Sequence, residues 1–419
     1  MTGDSDFEML IETGQTDRPR LPLSGRRIAL GVTGSIAAYK AADLCSKLRQ
    51  AGAEVEAIMT PAATQFITPL TFQSLTGHDV VVDMFTAHEA EAHVEVARRA
   101  DALVIAPATA DCIANLANGQ TPDMVTLTAL ATEAPVVVAP AMDNQMWEHI
   151  ATRTNVATLQ GRGVVFAGPG EGRLASGRYG AGRLAEPADI VAALRQALGK
   201  RGGDFTGRRV VVSAGPTQEP VDPVRFVGNR STGKMGLAIA EAARDRGAEV
   251  TLVAGPVSLP EQPGITRIDV TTVAEMLSAL ETATSTSDAI VMAAAPADFR
   301  PASAAGQKIK KEGDDQALEI QLVKNPDIIG TLPGGGVRVG FAAETHDLER
   351  YAVEKLAAKR LDMIVANDVT AAGSGFGTET NQVTIFHADG DVEAFPLMSK
   401  YEVGHAILDR VLSRIQTHQ

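Results

Sequence analysis

The chain carries the same local plan twice: a strand, a helix and a second strand. In the first copy, Arg27 to Pro61, an apolar run turns at a glycine and leads into a helix that ends at Gly52. The second copy, Arg208 to Pro256, begins RRVVVSAGPT and ends RDRGAEVTLVAGP. A strand, a crossover helix and a parallel strand form one right-handed unit. Two copies therefore predict two α/β domains, each with its own parallel sheet.

Further apolar runs extend both predicted sheets. In the first helix, periodicity places Ile36, Leu44 and Leu48 on one side. A final helix is predicted from about Lys400, after a loop over residues 373–381 and a last strand over 383–387. The other predicted buried strands cover residues 55–59, 102–106, 136–139, 210–212, 289–295, 337–341 and 363–366.

Length and composition agree with a two-domain chain. At 419 residues the chain exceeds one typical domain. Its residues are 45% hydrophobic but only 4% aromatic, which suits the aliphatic cores of α/β sheets. The predicted organisation is a disordered tail over residues 1–24, a first domain over 25–198, a glycine-rich linker over 199–207 and a second domain over 208–419.

Charge and cysteine content limit which binding partners and which cellular compartment fit this chain. The formal net charge of −13 argues against nucleic acid or an anionic membrane, because phosphate binding needs clustered Lys and Arg. Cys45 and Cys112 make neither a disulfide framework nor a zinc site, so we expect a reducing, cytoplasmic setting. No apolar run approaches 18 residues, and the first 24 residues do not resemble a secretory signal.

Polar residues in the first half follow the predicted strands. Gly34 and Ser35 stand at a strand-to-helix turn, where backbone amides and a hydroxyl could hold a phosphate. Thr109 follows the next strand at the same sheet edge. Such turns are also common helix caps, so the pattern alone leaves both interpretations open. His93 lies on a predicted helix, HVEVARRA, where a lone histidine is more often a packing or surface residue.

In the second half, a long polar loop joins the first strand to its helix, which is predicted to begin at Lys234. Residues 228–234, GNRSTGK, resemble a P-loop, but Met235 stands where Ser or Thr should bind Mg²⁺, and no strand directly precedes the first glycine. A glycine-rich surface turn is the other alternative. A nucleotide site is favoured by a surplus of hydrogen-bonding residues: Thr217, Asn229, Arg230, Ser231, Thr232 and Lys234.

Together these motifs resemble known families. GSIAAYK at 34–40, His93 with ADALVIAPATAD, and PAMDNQMW at 140–147 resemble flavin-containing cysteine decarboxylases, which bind FMN. SAGPTQEPVDPVRFVGNRSTGKMG, AAAPADF, KIKKEG, VKNPDI, GFAAET and ANDV resemble phosphopantothenate-cysteine ligases. From about residue 25 to its end, the chain is thus similar to the bifunctional coenzyme A biosynthesis family. The resemblance implies two Rossmann-like domains, an N-terminal flavodoxin-like FMN domain and a C-terminal CTP-dependent ligase domain.

For the ligase half, the resemblance implies two steps. CTP activates the carboxylate of 4′-phosphopantothenate as an acyl-cytidylate, and the amine of cysteine then displaces CMP. Lys308 would neutralise charge on the reacting groups. Asn229 would hold the acyl-cytidylate, and Arg225 would bind phosphopantothenate. Asp298 would contact the nucleotide or its Mg²⁺. The implied CTP site comprises Met292, Ala293, Ala294, Asp298, Lys308, Pro326, Asp327, Ile328, Ile329, Phe341, Lys355 and Lys359. Lys355 and Lys359 share one helix face by their spacing, which equally fits a solvated face.

For the decarboxylase half, the resemblance implies that FMN oxidises the thiol-bearing carbon of that product. The resulting β-thioketo acid loses CO₂, after which the reduced flavin returns a hydride while an acid supplies a proton. His93 matches the catalytic histidine of the family. Gly34, Ser35, Thr60 and Thr109 are the implied FMN contacts. The family also implies trimeric flavin domains and dimeric ligase domains, with small molecules as the other partners.

Two positions depart from the family pattern. Asp143 stands where an asparagine usually binds the substrate carboxylate, so an ionised Asp143 would repel that group. Ser176 replaces the cysteine that usually donates the proton, and a hydroxyl is a much weaker acid than a thiol. Tyr179 is a candidate replacement for the acid.

Two alternatives to a bifunctional enzyme stay open, and the departures at Asp143 and Ser176 motivate the first of them. In the first, only the ligase is active and the flavin domain is an assembly scaffold or binding module. In the second, the chain is an NAD(P)-dependent oxidoreductase with two nucleotide folds. The second is disfavoured because neither half has G-x-G-x-x-G directly after its first strand.

Overall fold

The first domain is built around a five-stranded parallel sheet. The computed structural model describes residues 21–83, 92–310, 318–333, 335–344, 348–368, 373–375 and 377–417. The sheet contains β1 (Arg27–Val32), β2 (Glu54–Met59), β3 (Ala102–Ala108), β4 (Val136–Pro140) and β5 (Val165–Phe166) in the order β2-β1-β3-β4-β5. This is the strand order of flavodoxin-like folds. Its helices are α1 (Ala38–Gln50), α2 (Pro69–Thr76), α3 (Ala92–Arg99), α4 (Ala110–Asn118), α5 (Met124–Ala131), α6 (Asn144–Glu148), α7 (Ile150–Gly161) and α8 (Pro187–Gly202).

A short antiparallel hairpin, β6 (Gly170–Arg173) and β7 (Tyr179–Arg183), follows the sheet. The core alternates along each strand because successive side chains point to opposite faces. Leu30 and Val104 pack on the face that α1 and α8 cover. Leu103 and Ile105 pack on the other face. Both faces are buried, which explains why these strands are continuous apolar runs.

The second domain contains an eight-stranded sheet. Its strand order is β12-β11-β8-β13-β16-β17-β19-β20, which begins with the dinucleotide-fold order 3-2-1-4-5-6. The last two strands pair antiparallel. The strands are β8 (Arg209–Ala214), β9 (Gln218–Pro220), β10 (Phe226–Gly228), β11 (Glu249–Ala254), β12 (Ile265–Asp269), β13 (Ala289–Met292), β14 (Phe299–Pro301), β15 (Leu322–Lys324), β16 (Val337–Glu344), β17 (Met363–Asp368), β18 (Thr380–Asn381), β19 (Val383–His387), β20 (Val392–Ala394) and β21 (Met398–Ser399). The helices are α9 (Lys234–Asp245), α10 (Val273–Thr284), α11 (Ile328–Thr331), α12 (Leu348–Ala358) and α13 (Lys400–Thr417).

Helix α8 joins the two domains by packing on α9. Arg195 of α8 donates from Nε to Asp245 Oδ2 at 2.8 Å, and its guanidinium lies 4.9 Å from the ring centroid of Tyr401. The Tyr401 hydroxyl donates to the same carboxylate oxygen at 2.7 Å. A Cβ at Gly199 would lie 2.6 Å from the carbonyl oxygen of Asp245, so only glycine allows this approach.

The structure confirms both βαβ units, the α9 start at Lys234 and the α13 start at Lys400. The prediction for Ile36 is wrong, because α1 begins at Ala38 and Ile36 lies in the preceding turn with 61% of its surface exposed.

Leu23 is buried, so the tail does not extend to residue 24; residues 1–20 lie outside the described part. Helix α8 runs to Gly202, so the first four residues of the predicted linker are helical.

The structure also corrects the C-terminal region. Residues 380–381 of the predicted loop form β18, and two short strands, β20 and β21, follow the one that was expected to be last.

Cys45 and Cys112 are buried free thiols, and burial raises the pKa of Cys45 to about 11. Within the described ranges, no three His, Cys, Asp or Glu side chains lie close enough to hold a metal ion. None of the helices in the described part is long and apolar enough to cross a membrane.

Candidate functional site

The ends of β1 and β3 are joined at the point where the strand order of the first sheet reverses. Thr33 Oγ1 donates to the Pro107 carbonyl at 2.7 Å and accepts from the backbone N–H of Thr109 at 3.1 Å. A Cβ on Gly34 would lie 2.5 Å from the Cβ of Ala62, so this turn requires glycine. Crevices at such reversal points are where open α/β sheets bind ligands.

The four implied FMN contacts lie at the carboxyl ends of β1, β2 and β3. Ser35 Oγ accepts from the N–H of Ala37 at 3.2 Å, and Thr60 Oγ1 accepts from the N–H of Ala63 at 3.2 Å. Thr109 Oγ1 accepts from the N–H of Cys112 at 3.1 Å and so caps α4. Thr109 is therefore a helix cap that also lies at the ligand-binding edge, whereas the N-cap of α1 is Ala37 and not Ser35.

A cavity of about 500 Å³ opens beside Ser35. It brings together three segments that are distant in the sequence, including the predicted residues Asp143 and Ser176. Tyr39, Lys40 and Arg173 also line it, and the sequence analysis assigned none of them. The signal for the first two was their place in GSIAAYK. The lining residues are Ser35, Ile36, Ala37, Tyr39, Lys40, Ala141, Met142, Asp143, Arg173, Leu174, Ala175, Ser176, Gly182, Arg183 and Leu184.

The β6–β7 hairpin forms one wall of this cavity. The backbone N–H of Met142 donates to the carbonyl of Gly182 at 2.9 Å. A Cβ on Gly182 would lie 2.3 Å from the Met142 carbonyl oxygen, and one on Gly180 would lie 2.9 Å from the side chain of Asn144. The two glycines therefore allow the hairpin to lie directly against the segment that carries Asp143.

The two departures from the family pattern contact each other. Ser176 Oγ donates to Asp143 Oδ2 at 2.7 Å. Asp143 Oδ1 accepts from the backbone N–H of Gln145 at 3.0 Å and lies 3.7 Å from Nη1 of Arg178. The Ser176 hydrogen bond, the Gln145 N–H and the Arg178 charge lower the pKa of Asp143. Asp143 is therefore an ionised carboxylate that two side chains of the hairpin turn stabilise, Ser176 by a hydrogen bond and Arg178 by its charge.

Tyr179 and His93, the other two predicted acid–base residues of the decarboxylase half, do not line this cavity. Tyr179 is 79% exposed and is not among the cavity residues, so its geometry does not favour a role as the acid. His93 is half-buried on α3, which packs against α5 and β1, and it does not line the cavity within one chain.

The second domain has the equivalent reversal point between β8 and β13. Two buried hydroxyls at the end of β8 hold the segment that follows β13. Ser213 Oγ accepts from the N–H of Ala294 at 3.1 Å, and Thr217 Oγ1 accepts from the N–H of Ala297 at 2.9 Å. Asn229 Nδ2 donates to the carbonyl of Pro296 at 2.9 Å. The structure thus brings Asn229 against the predicted CTP segment from Met292 to Asp298.

The segment around Pro326 joins the same edge. Asn325 Nδ2 donates to the Ala297 carbonyl at 2.9 Å, and its N–H donates to the Asp298 carbonyl at 2.8 Å. Asp327 caps α11 and pairs with Nζ of Lys359 at 3.1 Å. Lys355 lies one turn earlier on α12.

Four predicted CTP contacts direct their side chains into the core. Met292, Ile328 and Ile329 are 7%, 3% and 4% exposed and pack in one core cluster. Only the backbone groups of these three residues can face a ligand. Phe341 on β16 is partly buried against the core on the other face of the sheet.

Asp222, which the sequence analysis missed, aligns Arg225 with the segment that contains Lys308. Its carboxylate accepts from the N–H groups of Val224 and Arg225, both at 2.8 Å, and from that of Ile309 at 3.1 Å. Burial raises the pKa of Asp222, but these backbone donors outweigh it and lower the pKa overall. Lys308, next to Ile309 in the chain, is exposed, and so is Asp298.

The P-loop alternative is wrong for residues 228–234. Lys234 Nζ donates to the carbonyl of Gly377 at 2.9 Å and pairs with Glu379, so it does not cradle a phosphate above β8. The expectation that no strand directly precedes Gly228 is wrong, because Gly228 is the last residue of β10. That strand pairs with β9 in a hairpin outside the main sheet.

Two family models match the chain in order. Residues 17–199 match the flavoprotein family, and residues 205–415 match the C-terminal domain of DNA/pantothenate metabolism flavoproteins. The coenzyme A biosynthesis bifunctional protein CoaBC of Bacillus subtilis (strain 168) is 46% identical over 396 residues, which cover 93% of this chain and 97% of the relative. The chain belongs to this bifunctional family.

CoaBC of Escherichia coli (strain K12) is 43% identical over 403 residues, which cover 94% of this chain and 98% of the relative. Among solved structures, the C-terminal domain of a CoaBC protein is 36% identical, with a TM-score of 0.44, and covers 52% of this chain and 100% of its own. The two family models and the two relatives cover both domains, so family membership extends across both.

Proposed function

We propose that this chain performs two consecutive steps of coenzyme A biosynthesis. The ligase domain joins cysteine to 4′-phosphopantothenate with CTP, releasing pyrophosphate and then CMP. The flavin domain decarboxylates the 4′-phosphopantothenoylcysteine to 4′-phosphopantetheine and CO₂. The observation that carries the proposal is that similarity to bifunctional relatives covers 93% of the chain and includes both domains. Each domain also has a site at the carboxyl edge of its sheet, where the strand order reverses.

The ligase site supports this chemistry through fixed polar groups. The segment from Met292 to Asp298 is held by Ser213, Thr217 and Asn229, so it is positioned before a nucleotide arrives. Lys308 and Arg225 would neutralise the phosphate and carboxylate groups of the substrates. Among the described residues, Asp298 belongs to no group of three His, Cys, Asp or Glu side chains that could hold a metal ion. A Mg²⁺ ion bound there would therefore take most of its ligands from the CTP phosphates and water.

The first site fits FMN at the turn after β1. Gly34 lets this turn lie directly against Ala62, where a Cβ would clash, and Ser35, Thr60 and Thr109 supply hydroxyls at the same edge. Bound FMN would supply the oxidation of the thiol-bearing carbon and the later reduction. The residues of the chain would hold the substrate beneath the β6–β7 hairpin and exclude water. His93 would act as the base, and because it lies outside the cavity of its own chain, that role requires a neighbouring subunit.

Trimeric flavin domains are part of the proposal, because they would bring a neighbouring subunit to the cavity. Dimeric ligase domains are also proposed, because the family resemblance implies them. A cytoplasmic location is also proposed, and the two buried free thiols agree with a reducing compartment. The alternative is a chain with an active ligase and a flavin domain that serves as a scaffold. Asp143 and Ser176 favour that alternative, because both differ from the usual catalytic residues.

Mass spectrometry of the products distinguishes these proposals. The full chain would be incubated with 4′-phosphopantothenate, cysteine, CTP, Mg²⁺ and FMN. We expect CMP, CO₂ and 4′-phosphopantetheine. Accumulation of 4′-phosphopantothenoylcysteine alone would support the scaffold alternative, and the absence of both CMP and adduct would refute the ligase. An Asn229→Ala variant should lose the adduct yet still decarboxylate added 4′-phosphopantothenoylcysteine, which separates the two sites.

A further inference from the structure

We propose that Ser176 is a positioning residue, which locks the β6–β7 hairpin across the cavity through Asp143, and that Arg178 offsets the charge of Asp143. The proposal rests on the decarboxylase function proposed above. It treats the changes at positions 143 and 176 as one unit, although 33 residues separate them.

The hydrogen-bond geometry determines the role of the hydroxyl. Ser176 Oγ lies 2.7 Å from Asp143 Oδ2 and donates its proton to that carboxylate. A hydroxyl that donates to an ionised acceptor has its one proton committed, and it holds that proton more tightly than a free hydroxyl does. Ser176 is therefore unsuited to protonate a substrate carbon, and the contact serves to hold the turn in place.

The position of the contact makes it a lock. The hairpin is already joined to the Asp143 segment at its base, where Met142 N–H donates to the Gly182 carbonyl at 2.9 Å. Ser176 lies in the turn at the opposite end of the hairpin, between β6 and β7. Two anchors, one at each end, keep Leu174 to Ser176 against the cavity.

Arg178 makes the lock compatible with an anionic substrate. Both oxygens of Asp143 accept hydrogen bonds, from Ser176 and from Gln145, and its charge faces the Arg178 guanidinium at 3.7 Å. Arg178 itself does not line the cavity, so it acts on the substrate only by offsetting the charge of Asp143. The substrate of a decarboxylase carries a carboxylate, which an unscreened Asp143 would repel. Besides Asp143, the charged side chains that line the cavity are Lys40, Arg173 and Arg183, and Arg183 is paired with Glu186.

The lock can be tested without cofactor or turnover. Hydrogen exchange of the backbone amides from Leu174 to Arg178 would be compared in the full chain and in Ser176→Ala, Ser176→Thr and Asp143→Asn variants. Ser46→Ala is the matched control, because the Ser46 hydroxyl is half-buried on α1 and bonds only to Gln50 of the same helix. We expect Ser176→Ala to lose protection by about tenfold or more, the size expected for one hydrogen bond to a charged group. Threonine keeps the hydroxyl, so Ser176→Thr should retain protection. Equal protection in Ser176→Ala and Ser46→Ala would overturn the lock.

Kinetics then separate positioning from proton donation. With added 4′-phosphopantothenoylcysteine and FMN, we expect Ser176→Ala to raise KM while the product remains 4′-phosphopantetheine. If the Ser176→Ala variant instead releases CO₂ normally but accumulates the oxidised, decarboxylated intermediate, Ser176 is the proton donor and the proposal is wrong. If the unchanged chain releases no CO₂, the decarboxylase assignment fails, whereas the exchange result still tests the lock.

The charge relation is tested by a double-mutant cycle. Arg178→Ala should raise KM several-fold when Asp143 is present, because it leaves a carboxylate unscreened. The same change should have a smaller effect in the Asp143→Asn background. Equal effects in both backgrounds would contradict the role given to Arg178.

Discussion

The Thr217 hydroxyl offers a direct test of how the ligase site is held. Thr217 is fully buried, and its Oγ1 accepts from the N–H of Ala297, a residue that is 4% exposed, at 2.9 Å. A Thr217→Val change keeps the shape and removes the acceptor. The buried N–H is then unsatisfied, which costs about 1–3 kcal/mol. The mutant therefore should have a lower free energy of unfolding, and the segment before Asp298 should be less ordered.

Loss of this hydrogen bond should lower the free energy of unfolding and weaken CTP binding. With a slope of about 2 kcal/mol per molar urea, the unfolding midpoint should fall by about 0.5–1.5 M. If CTP binding must reorder the segment, a cost of about 1–2 kcal/mol raises the KM for CTP by a factor of about 5–30. Urea titration followed by circular dichroism and a CMP-release assay measure the two quantities. Trp147, the single tryptophan, lies in the first domain and reports on that domain separately.

Two further variants control this prediction. Thr217→Ser keeps the hydroxyl and should recover most of the CTP affinity. Thr158→Val removes an exposed hydroxyl on α7 that bonds only within its helix, so it should have little effect. If Thr217→Val matches Thr158→Val in both midpoint and KM, the hydroxyl does not hold the site.

Three other predictions concern the domain junction, a lysine of the CTP site and the cysteines. Arg195→Ala should destabilise the junction by about 2–3 kcal/mol, because it removes a charge-assisted hydrogen bond to Asp245 and a cation–π contact with Tyr401. The Asp245 carboxylate keeps its ion pair with Arg244 and its hydrogen bond from Tyr401. The Trp147 and circular dichroism transitions should then separate, whereas Arg201→Ala on the same helix should not separate them. Lys359→Ala should raise the KM for CTP several-fold with little change in stability, because its pair with Asp327 is partly exposed; Lys47→Ala is the control. Burial raises the pKa values of both cysteines, so the folded chain keeps protons that the unfolded chain loses, and the free energy of unfolding should fall as pH rises from 9 toward 11. Cys45→Ala should reduce that slope in urea titrations, and an unchanged slope would argue against a buried Cys45.

The sequence predicted the elements but not the partners of the side chains. Apolar runs and glycine turns are local signals, so the two βαβ units and the starts of α9 and α13 could be located correctly. Ile36 was misplaced because periodicity does not reveal where a turn ends and a helix begins. The tail and the linker were misjudged for a similar reason. Leu23 and Phe205 are buried by contacts with distant segments, which composition does not report.

The site residues divide in the same way. The motifs placed Gly34, Thr109 and Asn229 at sheet edges, because the carboxyl end of a parallel strand is where its following loop begins. The sequence also identified Asp143 and Ser176 as unusual, but treated them as two independent defects. Asp222 and Thr217 act through backbone N–H groups of segments about 80 residues away, and no local pattern marks such a partner.

The sequence by itself therefore determined that this chain has two α/β domains and which segments end at a binding edge, since both depend on patterns within a few residues. Only the tertiary structure decided the strand orders, the junction of Arg195 with Tyr401 and the pairing of Asp143 with Ser176. Those depend on how loops from different parts of the chain approach one another. A hydrogen bond of 2.7 Å between side chains 33 residues apart exists only after the sheet has brought both segments to the same edge.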